Sequence, residues 1–172
     1  MKRMKQISGL LVVLLLITSA SLQATTVRRL TLDDLVAKAS SIIEGRVLDS
    51  HTFWTENRKL ILTSYTIEVR ENLKGPAAQS VVVTMVGGRI GSTALRVSGM
   101  PTLEVGESAI FFLEQSSSYT TVVGLKQGKF PIADGQVQDM SGGGVSSGAL
   151  PEKPASLPLD RFKHQIKIRI GY

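Results

Sequence analysis

A chain of 172 residues with 20 lysines and arginines against 14 aspartates and glutamates carries a formal charge of +6 and no cysteine. The missing cysteines exclude disulfide staples, thiol catalysis, cysteine-held zinc or iron–sulfur centres and a lipid anchor on an N-terminal cysteine. Phe, Trp and Tyr make up only 5% of the chain, too few for the stacked aromatic platforms of single-strand nucleic-acid binders, so nucleic acid is not an expected partner.

The N-terminal stretch has the layout of a secretory signal peptide. Lys2, Arg3 and Lys5 form a basic start, Ile7 to Ile17 is almost wholly apolar, and Thr18 to Ala24 is small and polar. The apolar run is about half the roughly 20 residues needed to span a bilayer. Cleavage is expected after Ala24, with Ala20 and Ser21 as alternatives. Loss of 1–24 removes three basic residues and no acid, which takes the charge from +6 to +3 and leaves 148 residues, enough for one domain with a core. A lysine- and arginine-led signal on a cysteine-free chain points to a bacterial protein of the periplasm or the medium, with no transmembrane segment after signal removal. The expected division is signal 1–24, a β-barrel domain 25–140, a linker 141–158 and a C-terminal segment 159–172.

Thr31 opens a short helix as its N-cap, Asp33 and Asp34 favour the positive end of the helix dipole, and Leu32, Leu35, Val36 and Ala39 share one side. The helix is expected to stop near Ser40. Ile42 to Ser50 reads as a strand with a bulge or bend at Gly45, and Glu56 to Lys59 as a polar turn. Ile61, Thr63, Tyr65, Ile67 and Val69 alternate with more polar neighbours, the period of a half-buried strand that Leu73 to Pro76 closes. Ser80 to Val86 is a third strand; Ala94 to Ser98, Ala109 to Glu114 and Tyr119 to Leu125 are further β-type runs. Asp134-Gly135 between Lys129–Ala133 and Gln136–Gln138 signals a two-residue hairpin. Ser141 to Pro158 is rich in Gly, Ser and Pro and reads as a flexible linker. Leu159, Phe162, Ile166 and Ile170 follow helical spacing, whereas Ile166 to Ile170 also alternates like a strand; a helix from about Leu159 to Lys167 is favoured. Together these predict a mainly β fold, a small OB-like β-barrel with a short N-terminal helix and a C-terminal helix after the linker.

Two pieces of the chain carry a resemblance. Ala39 to Gly45 with Arg46-Val47, followed by Tyr65 to Gly75 (YTIEVRENLKG), resembles the netrin-like, or tissue-inhibitor-of-metalloproteinases, type of OB-fold domain. Gly99 to Glu107, Ile110 to Leu113 and Gly124 to Phe130 are similar to a group of exported bacterial proteins of unknown function. The resemblance spans about Leu30 to Val137 and implies architecture. The inhibitors of that family chelate the protease zinc through an N-terminal cysteine, which this chain lacks, so their mechanism is not carried over.

No residue pattern points to a cofactor or metal. His51 and His164 are the only histidines, far apart in the chain; His51 is expected to cap a strand end and His164 to face solvent. No SxxK motif is present, the one GxSxG spacing (Gly144 to Gly148) falls inside the segment read as a linker rather than at a strand-to-helix elbow, and the carboxylates show no convergence, with Glu68 and Glu71 expected on opposite faces of one strand. Gly87-Gly88-Arg89-Ile90-Gly91 has the look of a phosphate loop, but no helix-forming segment follows, so a bulged connection between strands is expected. Phe53, Trp54, Arg58 and Lys59 form the candidate interaction surface, while Tyr65 faces the core and Trp54 covers a barrel end. Arg161, Lys163, Lys167 and Arg169 around Phe162 and Ile166 would allow weak contact with a membrane surface, although packing on the domain is favoured. The expected function is an exported, non-enzymatic binding or accessory module whose partner is an exported protein, a protease among the candidates, or a glycan. The alternatives are a small exported hydrolase with a Ser/Lys or carboxylate site, and an envelope-associated protein held by its basic tail.

Overall fold

A computed structural model of the chain describes residues 29–138 and 156–171. The expected signal segment, the expected cleavage site after Ala24 and most of the expected linker lie outside the described residues.

Helix α1 (Leu32–Lys38) starts at Thr31 as the sequence predicts. The Thr31 hydroxyl accepts from the Asp34 N–H at 3.1 Å, and the Asp34 carboxylate accepts from the Thr31 N–H at 2.9 Å. At the other end Lys74 donates to the carbonyls of Val36 and Ala39 at 2.7 and 2.6 Å, so a cation from the sheet serves groups that a helix C-terminus leaves open.

The strands are β1 (Ser41–Trp54), β2 (Ile61–Lys74), β3 (Ser80–Val86), β4 (Gly88–Ile90), β5 (Thr93–Leu95), β6 (Ser108–Ser116), β7 (Tyr119–Val122), β8 (Lys129–Ala133), β9 (Gln136–Gln138) and β10 (Ser156–Pro158); helix α2 (Leu159–Ile170) follows. All ladders are antiparallel, in the order β10-β9-β8-β6-β1-β2-β3. One edge of β6 is shared: β8 pairs with Ala109–Phe111 and β7 with Leu113–Ser116. The sheet curls until β3 lies beside β7, yet no ladder joins them, so the expected barrel is an unclosed one. Strand β7 is only four residues long, and Gly124 and Leu125, both in left-handed conformation, turn the chain out of the seam into a short 3-10 helix (Leu125–Gly128). Asp134 and Gly135, both at positive φ, form the expected hairpin turn between β8 and β9.

Strand β6 is buried on both faces and divides two cores. Ala109, Phe111 and Leu113 point into the curl with Ile43, Val47, Tyr65, Ile67, Val83 and Met85. Ile110 and Phe112 point outward into a second core roofed by α1 and α2, where Leu35, Phe130, Phe162 and Ile166 are buried. The rings of Phe112, Phe130 and Phe162 meet there, with Phe130 and Phe162 centroids 4.8 Å apart.

Three differences from the sequence reading have physical causes. First, Ser156–Pro158, the end of the segment read as linker, is a strand because it pairs with β9 and because Leu157 packs on the outer core. Second, the last segment is helical to Ile170, beyond Lys167, because Phe162 and Ile166 have a core to fill and Gly171 in left-handed conformation closes the last turn. Third, β1 continues past Ser50 to Trp54 because β2 pairs with it up to the turn, which places His51 inside a strand rather than at its end.

Candidate functional site

Strand β1 has two unlike halves. Ser41–Arg46 lies between β6 and β2, and Val47 still bonds to the loop before β6. From Leu48 to Trp54 the strand pairs with β2 alone, so β1 and β2 run on as a two-stranded arm whose β1 edge carries no ladder. The bulge expected at Gly45 is present: the register shifts between Glu44 and Gly45, and a Cβ there would lie 2.5 Å from Ile67 Cγ2 and 2.8 Å from the Glu68 carbonyl. A second shift between Val47 and Asp49 frees Leu48, which is 49% exposed.

The arm bears all four residues of the candidate surface. Phe53 is opposite Leu62 and Trp54 opposite Ile61, so strand alternation sends the two aromatic rings to opposite faces. Phe53 shares its face with His51, and their rings stack at 5.9 Å with 13° between planes. Arg58 and Lys59 are exposed in the turn at the tip, which the Thr55 hydroxyl holds through bonds with Asn57 and Leu60. No ion pair engages either cation among the described residues. Tyr65 is buried in the inner core as expected, three register steps from the tip side of Leu62.

Beside the arm, β3 passes through Gly87-Gly88 into the β4–β5 hairpin, and no helix follows. Thr63 fixes this junction: its hydroxyl donates to the Gly87 carbonyl at 2.7 Å and lies 3.1 Å from the Thr52 hydroxyl. A Cβ on Gly88 would fall 2.5 Å from Thr63 Oγ1 and 2.7 Å from Thr52 Cγ2, so only glycine lets the hairpin approach the arm. Between this hairpin and the inner faces of β2 and β3 lies a cavity of about 410 Å³ at the mouth of the curl, lined by Thr63, Tyr65, Met100, Arg89 and Arg96 among others. Burial pushes the Tyr65 phenol above its ordinary value, a trend that bonds with Leu103 and Thr63 oppose and the Glu107 charge reinforces. Glu107 is itself paired with Lys129 at 2.6 Å.

The carboxylates converge at one place the sequence reading did not find. The Gly45 bulge sets Glu71 opposite Glu44, and Lys163 of α2 bridges the two, donating to Glu71 at 2.7 Å; Lys167 joins Glu71 at 2.8 Å. Hydrogen bonds from Lys163 and then Lys167 hold the Glu71 carboxyl below its ordinary range. Burial would lower Lys163, but its bonds to Glu44 and Glu71 outweigh that and raise it. Arg169 pairs with Asp33 at 2.8 Å, so three of the four basic residues of the tail are engaged within the domain, in keeping with the packing favoured over membrane contact. These groups lock α2 to the sheet. His164 is exposed on the same helix, and among the described residues no group of three or more His, Cys, Asp or Glu is placed to hold a metal.

The fold defines a mainly β, open-barrel domain with a helical cover on one face. Set against family models, curated proteins and solved structures, the chain matches none.

Proposed function

We propose that the protein is an exported, non-enzymatic binding module of OB-like architecture that docks an extended segment of another exported protein along the open edge of its β1–β2 arm. Export rests on the order of basic, apolar and small residues in 1–24. The OB-like assignment rests on a curled five-strand path, β3-β2-β1-β6-β7, with β3 brought beside β7. The observation that carries the function is the Leu48–Trp54 edge. Its outward N–H and C=O groups have no ladder partner, and main-chain groups in that array are satisfied best by another extended strand. Exposed Leu48 and the His51–Phe53 stack supply side-chain contact, and Arg58 and Lys59 at the tip suit a carboxylate on the docked segment. The interior of the curl is filled by Ile43, Val47, Ile67, Val83 and Phe111, which favours a surface that binds over a buried site that reacts.

The test compares the purified protein with a Leu48→Asp, Arg58→Glu, Lys59→Glu variant. Each is used to capture partners from the exported fraction, and the affinity of the purified captured protein is then measured for both. Binding to the native protein that weakens about tenfold or more in the variant supports the reading, since edge contacts and tip charges are both removed. Equal affinity for the two proteins overturns it. A captured protease slowed by the native arm would make the module a protease regulator.

A further inference from the structure

We propose that the cavity at the mouth of the curled sheet binds a small organic molecule carrying an oxyanion, with the anionic group held between Arg89 and Arg96. This site is separate from the arm edge and does not depend on what docks there. Four observations converge on it. The cavity, at about 410 Å³, has the size of a small-ligand site. Arg89 faces Ala94 across the β4–β5 ladder and Arg96 follows two residues on, which makes the two arginines diagonal neighbours at the rim of one cavity. No ion pair engages either guanidinium among the described residues, and the nearby carboxylate of Glu107 is already taken by Lys129.

The floor is polar and shaped in advance. Thr63 is tied to Gly87 and Thr52, and the Tyr65 phenol stays protonated at neutral pH, so hydroxyls line the floor beneath the cationic rim. Met100 adds an apolar wall for the body of the ligand. The glycine pair that looked like a phosphate loop thus has a different task. Gly88 brings the arginine-bearing hairpin within contact of Thr63, and the side chains rather than a helix terminus supply the positive charge. Guanidinium groups bind carboxylate and phosphate oxygens with paired, charge-assisted hydrogen bonds, so both sources of oxyanion fit.

Calorimetric and NMR titrations of the purified protein with glucuronate, glucose 6-phosphate, glucose and inorganic phosphate test the proposal and separate the sources. The expected result is saturable binding of one charged sugar at least about tenfold tighter than glucose, weakened by added salt and accompanied by shifts at Tyr65 and Arg96. The tighter of glucuronate and glucose 6-phosphate identifies the anionic group. An Arg89→Ala, Arg96→Ala variant, altered only at exposed positions, should lose about tenfold or more in affinity, and Tyr65→Phe should lose less. The proposal is overturned if neither charged sugar binds better than glucose, if inorganic phosphate binds as tightly as both, or if the double-arginine variant keeps full affinity.

Discussion

The two halves of β1 show how one strand serves two ends. Ser41–Val47 lies inside the sheet with Ile42 in the outer core and Ile43 and Val47 in the inner one, whereas Leu48–Trp54 keeps one partner and one open edge. The first half is held by burial on both faces. The second half carries less burial and leaves its edge open for the proposed partner. Between them, the shifts at Gly45 and Leu48 change the register twice, so the strand can twist out of the body without disturbing it. On the proposed function, stability and binding would thereby be separated along a single element, an open edge carried by a body that is closed elsewhere.

The largest expected effect breaks the body. Phe112→Ala removes a ring that packs on Phe130 and Phe162 and should cost about 3–5 kcal/mol in denaturant unfolding, while Phe53→Ala in the arm should cost about 1 kcal/mol or less. Comparable costs at the two positions would erase the distinction. Next comes Lys163→Met, which leaves the buried Glu44 carboxylate without its cation and should cost about 3 kcal/mol, read from the same unfolding curves.

A smaller effect follows from pH. Glu71 is held below its ordinary 4.5, so its contribution is complete above that pH and is lost as the pH falls through its lower folded value. Lys163 is raised above 10.5, so its contribution is complete below that pH and is lost as the pH rises through its higher folded value. The docking of α2 should therefore weaken in acid below about pH 4.5 and again above about pH 10.5, seen as loss of the Phe162 and Ile166 methyl and ring signals from their buried positions. In Lys163→Met the alkaline limb should disappear. The smallest effect sharpens the comparison from the other side: Leu48→Asp with Arg58→Glu and Lys59→Glu should change stability by about 0.5 kcal/mol or less, because none of these side chains is buried.

Much of the body was legible in the sequence. The Thr31 cap, the Gly45 bulge, the Ile61 alternation and the Asp134-Gly135 turn are local signals with local causes, and each marks an observed feature. The continuous run Ala109–Leu113 also carried more than a β-type reading: five apolar residues without alternation mark a strand buried on both faces, and hence a second core. The Glu44–Lys163–Glu71 bridge was not legible, since it joins residues 92 or more positions apart and depends on a bulge that resets which carboxylates face each other. The candidate surface was legible by position but not by face. Phe53 and Trp54 are neighbours in sequence and opposites in a strand, so only Phe53 joins His51 on one side of the arm.

Amide hydrogen exchange along β1 tests the division most directly. The amides of Ile42–Val47 should exchange only through global unfolding, whereas the amides of Leu48–Trp54 that point to the open edge should exchange orders of magnitude faster. Uniform protection from Ser41 to Trp54 would contradict the account, because it would mean that the arm edge is already covered.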